Sequence, residues 1–273
     1  MLFLKIIRPF NCLFVALTIL FGAYYNSINN NFWIVIFAMV SATLIAGAGY
    51  VINDFFDLPI DIINKPHRVL PSGKINPKTA YIYAIFLFIS GITLSFFTQN
   101  IYCVLIAILN SLILFFYAKS FKMSFLIGNI LIAYTAASTF IYGGLSNNNF
   151  KNGLIVAIYA FLYTLIREFI KDSEDIEGDV KLGARTLAIK VGRKNITIIS
   201  ILPILCILIF NCFLLYLELI TLTTFIILNL LVTIPLILFI IYLLRKLNKH
   251  RYSRVSLLMK INMLVLLIIL WVG

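Results

Sequence analysis

The stretch YVINDFFDLPIDIINKPHRVLPSG, residues 50–73, places three aspartates and an asparagine at the end of a strongly apolar run. On a helix each residue advances by about 100°, so Asn53, Asp54, Asp57 and Asp61 fall within one sector of roughly 100°. Like charges crowded on one helix face beside a membrane repel each other and lose hydration. The stretch therefore predicts a helix end at which cations offset the carboxylates.

The composition of the whole chain is that of a membrane protein. Of its 273 residues, 62% are hydrophobic and only 12% are charged, and the mean hydropathy is +1.05. Soluble domains have about a quarter of their residues charged. We therefore expect an all-α, polytopic membrane protein with one domain over residues 1–273.

Runs of roughly 20 apolar residues, the length that crosses a bilayer, recur along the chain. Turn-forming segments such as NSINNN, PSGKINPK and SNNNFKNG separate them. We predict nine transmembrane helices, at about residues 10–27, 32–57, 78–98, 101–118, 124–145, 152–171, 196–216, 221–244 and 255–272.

The positions of the basic residues predict the orientation. With a cytoplasmic N-terminus, all but two of the 22 lysines and arginines lie on the cytoplasmic side, the exceptions being Lys151 and Lys260. This is the positive-inside pattern of multi-pass proteins of the cell membrane. The formal net charge of +12 therefore indicates a lipid bilayer as partner and no nucleic acid.

A second group of acids ends the sixth predicted span, within REFIKDSEDIEGD (167–179). Glu168, Asp172, Asp175 and Asp179 share a still narrower helical sector. Both acidic groups end even-numbered spans, so both are predicted at the cytoplasmic face and at one membrane depth.

Carboxylates without neighbouring histidine or cysteine favour Mg²⁺, which takes one or two of them and completes its shell with water or phosphate. We therefore predict that the two acidic groups converge on Mg²⁺ ions bridged by a diphosphate. Basic residues near the two groups can bind the remaining phosphate oxygens. These are Arg68, Lys74, Lys122, Lys181 and Arg185.

Four segments share the pattern of one enzyme superfamily. NDFFDLPID (53–61) has the spacing N-D-x-x-D-x-x-x-D, and DIEGD (175–179) has the spacing D-x-x-x-D. HRVLPSGKI (67–75) and GARTLAIKVG (183–192) accompany them. Together these segments resemble the UbiA superfamily of membrane prenyltransferases, with Val69 standing where the family usually has proline.

The resemblance implies nine transmembrane helices around a central cavity that opens to the cytoplasmic side. The segment 167–179 most resembles the superfamily members that transfer a geranylgeranyl group from its diphosphate to the hydroxyl of geranylgeranylglyceryl phosphate. That reaction forms the second ether bond of archaeal membrane lipids. It implies a Mg²⁺ cofactor, a prenyl diphosphate donor and a lipid-like acceptor, with no obligatory protein partner evident.

The resemblance also implies roles for individual residues. Metal ligands are expected at Asn53, Asp54, Asp57, Asp172, Asp175 and Asp179. Catalytic roles are expected for Asp57, Asp61, Asp175 and Asp179, and either Asp61 or Glu168 is expected to be the base that takes the proton of the acceptor hydroxyl. Substrate binding is expected for Arg8, Arg68, Lys74, Lys122, Lys181 and Arg185. The segments 59–77 and 173–194 are expected to form loops long enough to cover the phosphates.

Other functions compete with this interpretation. A prenyltransferase acting on an aromatic acceptor, 4-hydroxybenzoate or a naphthoate in quinone biosynthesis, would share most of the motifs. An ion-coupled transporter also needs acids in its spans, but more often near their middle. A CDP-alcohol phosphatidyltransferase requires a D-G-x-x-A-R sequence, which this chain lacks.

Overall fold

The computed structural model describes residues 2–181 and 183–272, apart from the side chains of Asn64, Met123 and Lys181. Over these residues the regular structure is helical, without a β-strand. The α-helices are α1 Leu2–Ile6, α2 Pro9–Tyr24, α3 Phe32–Phe56, α4 Leu58–Asn64, α5 Pro77–Ser95, α6 Ile101–Lys119, α7 Ile127–Ser146, α8 Phe150–Lys181, α9 Leu187–Ile199, α10 Ile201–Tyr216, α11 Leu222–Leu228, α12 Ile234–Arg245 and α13 Lys249–Val272.

Seven helical segments of the described chain are long and apolar enough to cross a membrane. They are Phe32–Phe56, Pro77–Thr98, Ile101–Lys119, Phe150–Val180, Leu187–Tyr216, Leu222–Arg245 and Lys249–Val272. This confirms the all-helical, multi-pass class.

The prediction of nine spans is not confirmed, because two of the predicted segments are not among these seven. The predicted span 10–27 corresponds to α2, which has only 16 residues. The predicted span 124–145 corresponds to α7, which contains the small and polar run AYTAAST.

The chain divides into two compact units. The first contains Met1–Lys122 and Thr135–Ile158, and the second contains Met123–Tyr134 and Tyr159–Gly273. The boundaries fall inside α7 and α8, so each of these two helices contributes residues to both units.

In the first unit, α3 packs along α5 and against α2 and α6. Ala48 on α3 and Ala80 and Ala84 on α5 are fully buried, and such small side chains let helix backbones approach closely. Val51 and Ile52, which directly precede the first aspartate motif, are fully buried as well. This packing fixes the end of α3 from which the acidic side chains project.

The approach of α2 to α7 depends on glycine. A Cβ built on Gly22 would lie 2.1 Å from the carbonyl oxygen of Phe140, and one on Gly143 would lie 2.0 Å from that of Ile19. Beside this contact, Asn147 Nδ2 donates to the Ala23 carbonyl at 2.8 Å, and Asn149 Nδ2 donates to the Tyr25 carbonyl at 2.7 Å. The two amides thus satisfy carbonyls at the C-terminal end of α2 that have no partner within the helix.

In the second unit, the C-terminal half of α8 packs against α9. Phe169 on α8 and Leu187, Ala188 and Ile196 on α9 form one buried apolar cluster. Between α11 and α12 the chain forms a π-helical turn, Asn229–Thr233.

The prediction of a long loop over 173–194 is wrong. Helix α8 continues through Gly178 to Lys181, and α9 already begins at Leu187. Glycine within a helix costs only about 1 kcal/mol relative to alanine, which flanking contacts offset here. Arg193 donates from Nε to the Ser173 carbonyl at 3.0 Å and from Nη2 to Glu177 Oε1 at 2.8 Å.

The predicted loop over 59–77 is only partly a loop. Its first residues belong to the short helix α4, Leu58–Asn64, and α5 begins at Pro77. The residues between these helices form turns and bends.

Candidate active site

The first carboxylate set, Asp54, Asp57 and Asp61, lies where α3 gives way to α4. Asp57 caps both helices with nearly helical backbone angles, φ −79° and ψ −5°, and Pro59 lies in the first turn of α4. The break is therefore small, and all three carboxylates are buried. Buried carboxylates require cationic or hydrogen-bonding partners.

Two arginines form ion pairs with Asp54 and Asp61. Arg68 Nη1 lies 2.7 Å from Asp61 Oδ2 and 3.4 Å from Asp54 Oδ1. Arg8 Nη2 also donates to Asp54 Oδ1. Arg8 has a left-handed backbone, φ 56° and ψ 69°, directly before Pro9. Its guanidinium thus reaches Asp54 from the short segment between α1 and α2.

A lysine and an asparagine amide bind the carboxylate of Asp57. Lys122 Nζ lies 2.6 Å from Asp57 Oδ2, and Asn53 Nδ2 donates to the same oxygen at 2.7 Å. Lys65 Nζ adds a longer contact to Asp61 Oδ1 at 3.9 Å. The chain's own bases therefore offset the charge of the first carboxylate set.

The second carboxylate set, Asp172, Asp175 and Asp179, lies on the last turns of α8. Asp172 Oδ2 accepts a hydrogen bond from Asn129 Nδ2 at 2.7 Å, and Asp175 is exposed. Within the described residues, neither Asp172 nor Asp175 forms an ion pair. One turn earlier, the buried Glu168 pairs with Arg167 at 2.9 Å.

The remaining residues that were predicted to bind substrate are Lys74, Lys181 and Arg185. Lys74 and Arg185 are exposed, and neither pairs with an acid in the part of the chain that the structure describes. The side chain of Lys181 lies outside the described residues. Each carboxylate set belongs to its own unit, so the convergence of the two sets on one diphosphate stays a prediction.

Sequence reasoning gave no role to Asn129 or to Arg167. Asn129 follows Gly128 at the start of α7, and a polar amide within the otherwise apolar stretch FLIGNILIA (125–133) was the available signal. Arg167 lies directly before Glu168, but adjacent residues on a helix point in different directions. Their pairing depends on side-chain conformation, which spacing does not reveal.

The donor set fits a hard cation. Over the described residues, no group of three or more His, Cys, Asp or Glu side chains forms a site that could hold a metal by itself. Mg²⁺ does not need such a cage, since one or two carboxylates and substrate phosphates suffice. The aspartates present are the oxygen ligands that this ion prefers.

The family model of the UbiA prenyltransferase family matches residues 13–264. The chain belongs to this family and is an integral membrane prenyltransferase. The match spans most of both units.

Among individual proteins, the chain is similar to digeranylgeranylglyceryl phosphate synthase. It is 41% identical over 199 residues to that of Methanococcus aeolicus, covering 72% of this chain and 70% of the relative. A solved structure of digeranylgeranylglyceryl phosphate synthase in membranes superposes with a TM-score of 0.88 at 34% identity, covering 100% of this chain and 97% of that one.

A more distant solved structure shares the fold alone. It is a UbiA homologue from Archaeoglobus fulgidus bound to DMAPP and Mg²⁺, with a TM-score of 0.70 at 15% identity. The alignment covers 97% of this chain and 99% of the homologue.

Proposed function

We propose that this chain transfers a geranylgeranyl group from geranylgeranyl diphosphate to the hydroxyl of geranylgeranylglyceryl phosphate, with Mg²⁺ as cofactor. The product carries the second ether bond of archaeal membrane lipids. The observation that carries the proposal is the full-length similarity to a digeranylgeranylglyceryl phosphate synthase structure, at 34% identity and a TM-score of 0.88.

The proposed metal ligands are Asn53, Asp54, Asp57, Asp172, Asp175 and Asp179. Mg²⁺ bound there would neutralise the diphosphate and stabilise the charge that develops on the leaving oxygen. The Mg²⁺ and DMAPP of the Archaeoglobus fulgidus homologue support the class of cofactor and donor. The proposal also requires that the two carboxylate sets face one diphosphate within a cavity open to the cytoplasm.

The chain's bases have a second role in this scheme. Arg8, Arg68 and Lys122 form ion pairs with the first carboxylate set. With Mg²⁺ on the carboxylates, these three side chains would be able to donate to the diphosphate oxygens instead. Lys74, Lys181 and Arg185 are proposed to add charge to the phosphate-binding surface.

The protein is also proposed to exclude water from the reaction and to accept a proton. The apolar spans keep water from the allylic cation that remains when the bond to the diphosphate breaks. Asp61, buried and 2.7 Å from Arg68, is proposed to accept the hydroxyl proton of the acceptor once Arg68 turns to the diphosphate.

The proposed setting is the cell membrane, with the N-terminus and the active site in the cytoplasm. Residues 1–273 would form one functional domain, a view supported by a family match that includes residues of both units. The partners are the donor, the acceptor and the bilayer.

The test is an acceptor panel with purified protein in lipid nanodiscs and geranylgeranyl diphosphate. The acceptors are geranylgeranylglyceryl phosphate, 4-hydroxybenzoate and a naphthoate, and the products are identified by mass spectrometry. We expect product only with geranylgeranylglyceryl phosphate and none after addition of EDTA. Product with an aromatic acceptor alone would refute the assigned acceptor, and undiminished activity in EDTA would refute the cofactor.

A further inference from the structure

We propose that Tyr159 and Tyr163 are positioning residues that fix the rotation of α8 and thereby aim the second carboxylate set. The inference rests on the proposed function, because it concerns residues that hold the proposed metal ligands in place. These tyrosines belong to a buried polar network in the second unit, and none of the residues in this network is a proposed metal ligand.

The tyrosines and the carboxylates lie on opposite faces of α8. With about 100° per residue, Tyr159 and Tyr163 fall within roughly 40° of each other. Asp172, Asp175 and Asp179 cluster around a direction roughly 180° from them. A rotation of the helix about its axis would therefore turn both groups by the same angle and displace the tyrosines and the carboxylates in opposite lateral directions.

Tyr163 is bound to α13 and, through it, to the π-helical turn. Its hydroxyl lies 2.8 Å from the Met259 carbonyl and 3.0 Å from Asn262 Oδ1. Asn262 Nδ2 donates in turn to the Leu231 carbonyl at 2.7 Å. Leu231 lies inside the π-helical turn Asn229–Thr233, where the regular helical ladder is interrupted.

Tyr159 is bound to α10 and reaches the same turn by a second route. Its hydroxyl donates to Asn211 Oδ1, and Asn211 Nδ2 donates to Asn229 Oδ1 at 3.0 Å. Asn229 Nδ2 donates to the Phe225 carbonyl at 2.9 Å. Both tyrosines and both of their asparagine partners are buried.

Hydrogen bonds suit this purpose better than apolar packing. Leucine and isoleucine contacts between membrane helices change little in energy when one helix rotates slightly, whereas a hydrogen bond weakens steeply with distance and angle. Two bonds one turn apart, directed at different helices, oppose rotation in both senses. The second carboxylate set needs such support, because within the described residues the carboxylates of Asp172 and Asp175 together accept one hydrogen bond, from Asn129 to Asp172.

The test variants are Tyr163→Phe and Asn262→Leu, each of which removes the bond and keeps most of the volume. The matched control is Tyr142→Phe. Tyr142 is buried and its hydroxyl lies 2.9 Å from Ser41 Oγ, but it belongs to the first unit and does not lie on α8. A variant that merely lowers stability should behave like this control.

The first measurement is independent of metal. Spin labels are attached to cysteines introduced at the exposed positions Lys171 and Arg245, with Cys206 and Cys212 replaced by serine. Both labels lie in the second unit. We expect the distance distribution between them to shift or broaden in Tyr163→Phe and Asn262→Leu and to stay unchanged in Tyr142→Phe.

The second measurement is Mn²⁺ binding by electron paramagnetic resonance, without substrate. Because the residues that orient metal ligands typically change affinity 10–100-fold, we expect binding about tenfold weaker in the two test variants. The control should bind as the wild type does. In activity assays the half-saturating Mg²⁺ concentration should rise more than kcat falls.

The outcomes separate the two proposals. Unchanged label distances, or equal Mn²⁺ weakening in Tyr142→Phe, would overturn the positioning role. If the wild type binds no Mn²⁺, the proposed metal site fails, and the label distances alone decide whether the tyrosines hold α8.

Discussion

The two carboxylate sets resemble each other in sequence but differ in how their charge is held. In the first set, each aspartate forms an ion pair with an arginine or a lysine: Asp54 with Arg8, Asp57 with Lys122 and Asp61 with Arg68. In the second set, Asp172 has a neutral amide partner and Asp175 faces solvent. The protein's own bases offset the charge of the first set, whereas Asp172 and Asp175 form no ion pair within the described residues.

This difference suggests an order of binding. Among the described residues no base is ion-paired with Asp172 or Asp175, whereas a cation must displace Lys122 to reach the paired oxygen of Asp57. We therefore expect the second set to bind a divalent cation before substrate arrives. The first set should bind one well only when a diphosphate is present to receive the displaced bases.

The largest expected effect separates catalysis from metal binding. Asp57→Asn and Asp175→Asn should each lower kcat by roughly 10³-fold, because both remove stabilisation of the leaving diphosphate. Without donor, however, only Asp175→Asn should weaken Mn²⁺ binding, measured by electron paramagnetic resonance. Glu174→Gln, a neighbouring acid outside both sets, is the control and should retain activity. Equal weakening of Mn²⁺ binding by both aspartate variants would show that the two carboxylate sets do not differ in how they bind a cation.

The next effect concerns stability. Arg68→Met should lower the free energy of unfolding by about 2 kcal/mol, since it leaves the buried Asp61 without its nearest cation. Asn129→Leu in the second unit should cost less, about 1 kcal/mol, since the lost partner is neutral. Chemical unfolding in detergent measures both.

The double variant Arg68→Met/Asp61→Asn sharpens this test. It removes the carboxylate along with its partner, so it should recover most of the lost stability. A double variant no more stable than Arg68→Met would mean that Arg68 acts through packing and not through charge.

The smallest expected effect is a gain in metal affinity and not a loss. Lys122→Met should tighten Mn²⁺ binding about threefold in the absence of donor, because a partly exposed competing cation is removed. The same variant should weaken binding of geranylgeranyl diphosphate, since a base for the phosphates is lost. Titrations with each ligand alone measure the two changes. Lys119→Met is the matched control, because Lys119 is exposed and forms no ion pair within the described residues.

Much of this architecture could be predicted from the sequence. Long apolar runs gave the helical, multi-pass class, because a bilayer admits few other structures. The boundaries of α3, of α6 and of the apolar segment Leu222–Arg245, which runs from α11 to α12, agree with the predicted spans to within one residue. Motif spacing led to the family, which the match over residues 13–264 confirms.

Other features depend on side-chain contacts that spacing does not encode. The acids of 50–73 suggested metal as their counterion, whereas the structure pairs them with Arg8 and Lys122, which are far away in sequence. The segment 173–194 was predicted to be a loop, but contacts from Arg193 to the turns around Gly178 accompany a helix that continues to Lys181. In both cases tertiary partners decide what the local pattern leaves open.

The asparagine caps on α2 have a consequence for the surrounding lipid. A helix of 16 residues is about 24 Å long, whereas the hydrocarbon layer is about 30 Å thick. Because Asn147 and Asn149 donate hydrogen bonds to carbonyls at the C-terminal end of α2, this helix can end before the membrane surface without exposing unpaired backbone groups to the hydrocarbon layer. The bilayer is therefore expected to thin beside α2, which would make the enzyme sensitive to the chain length of the lipids around it.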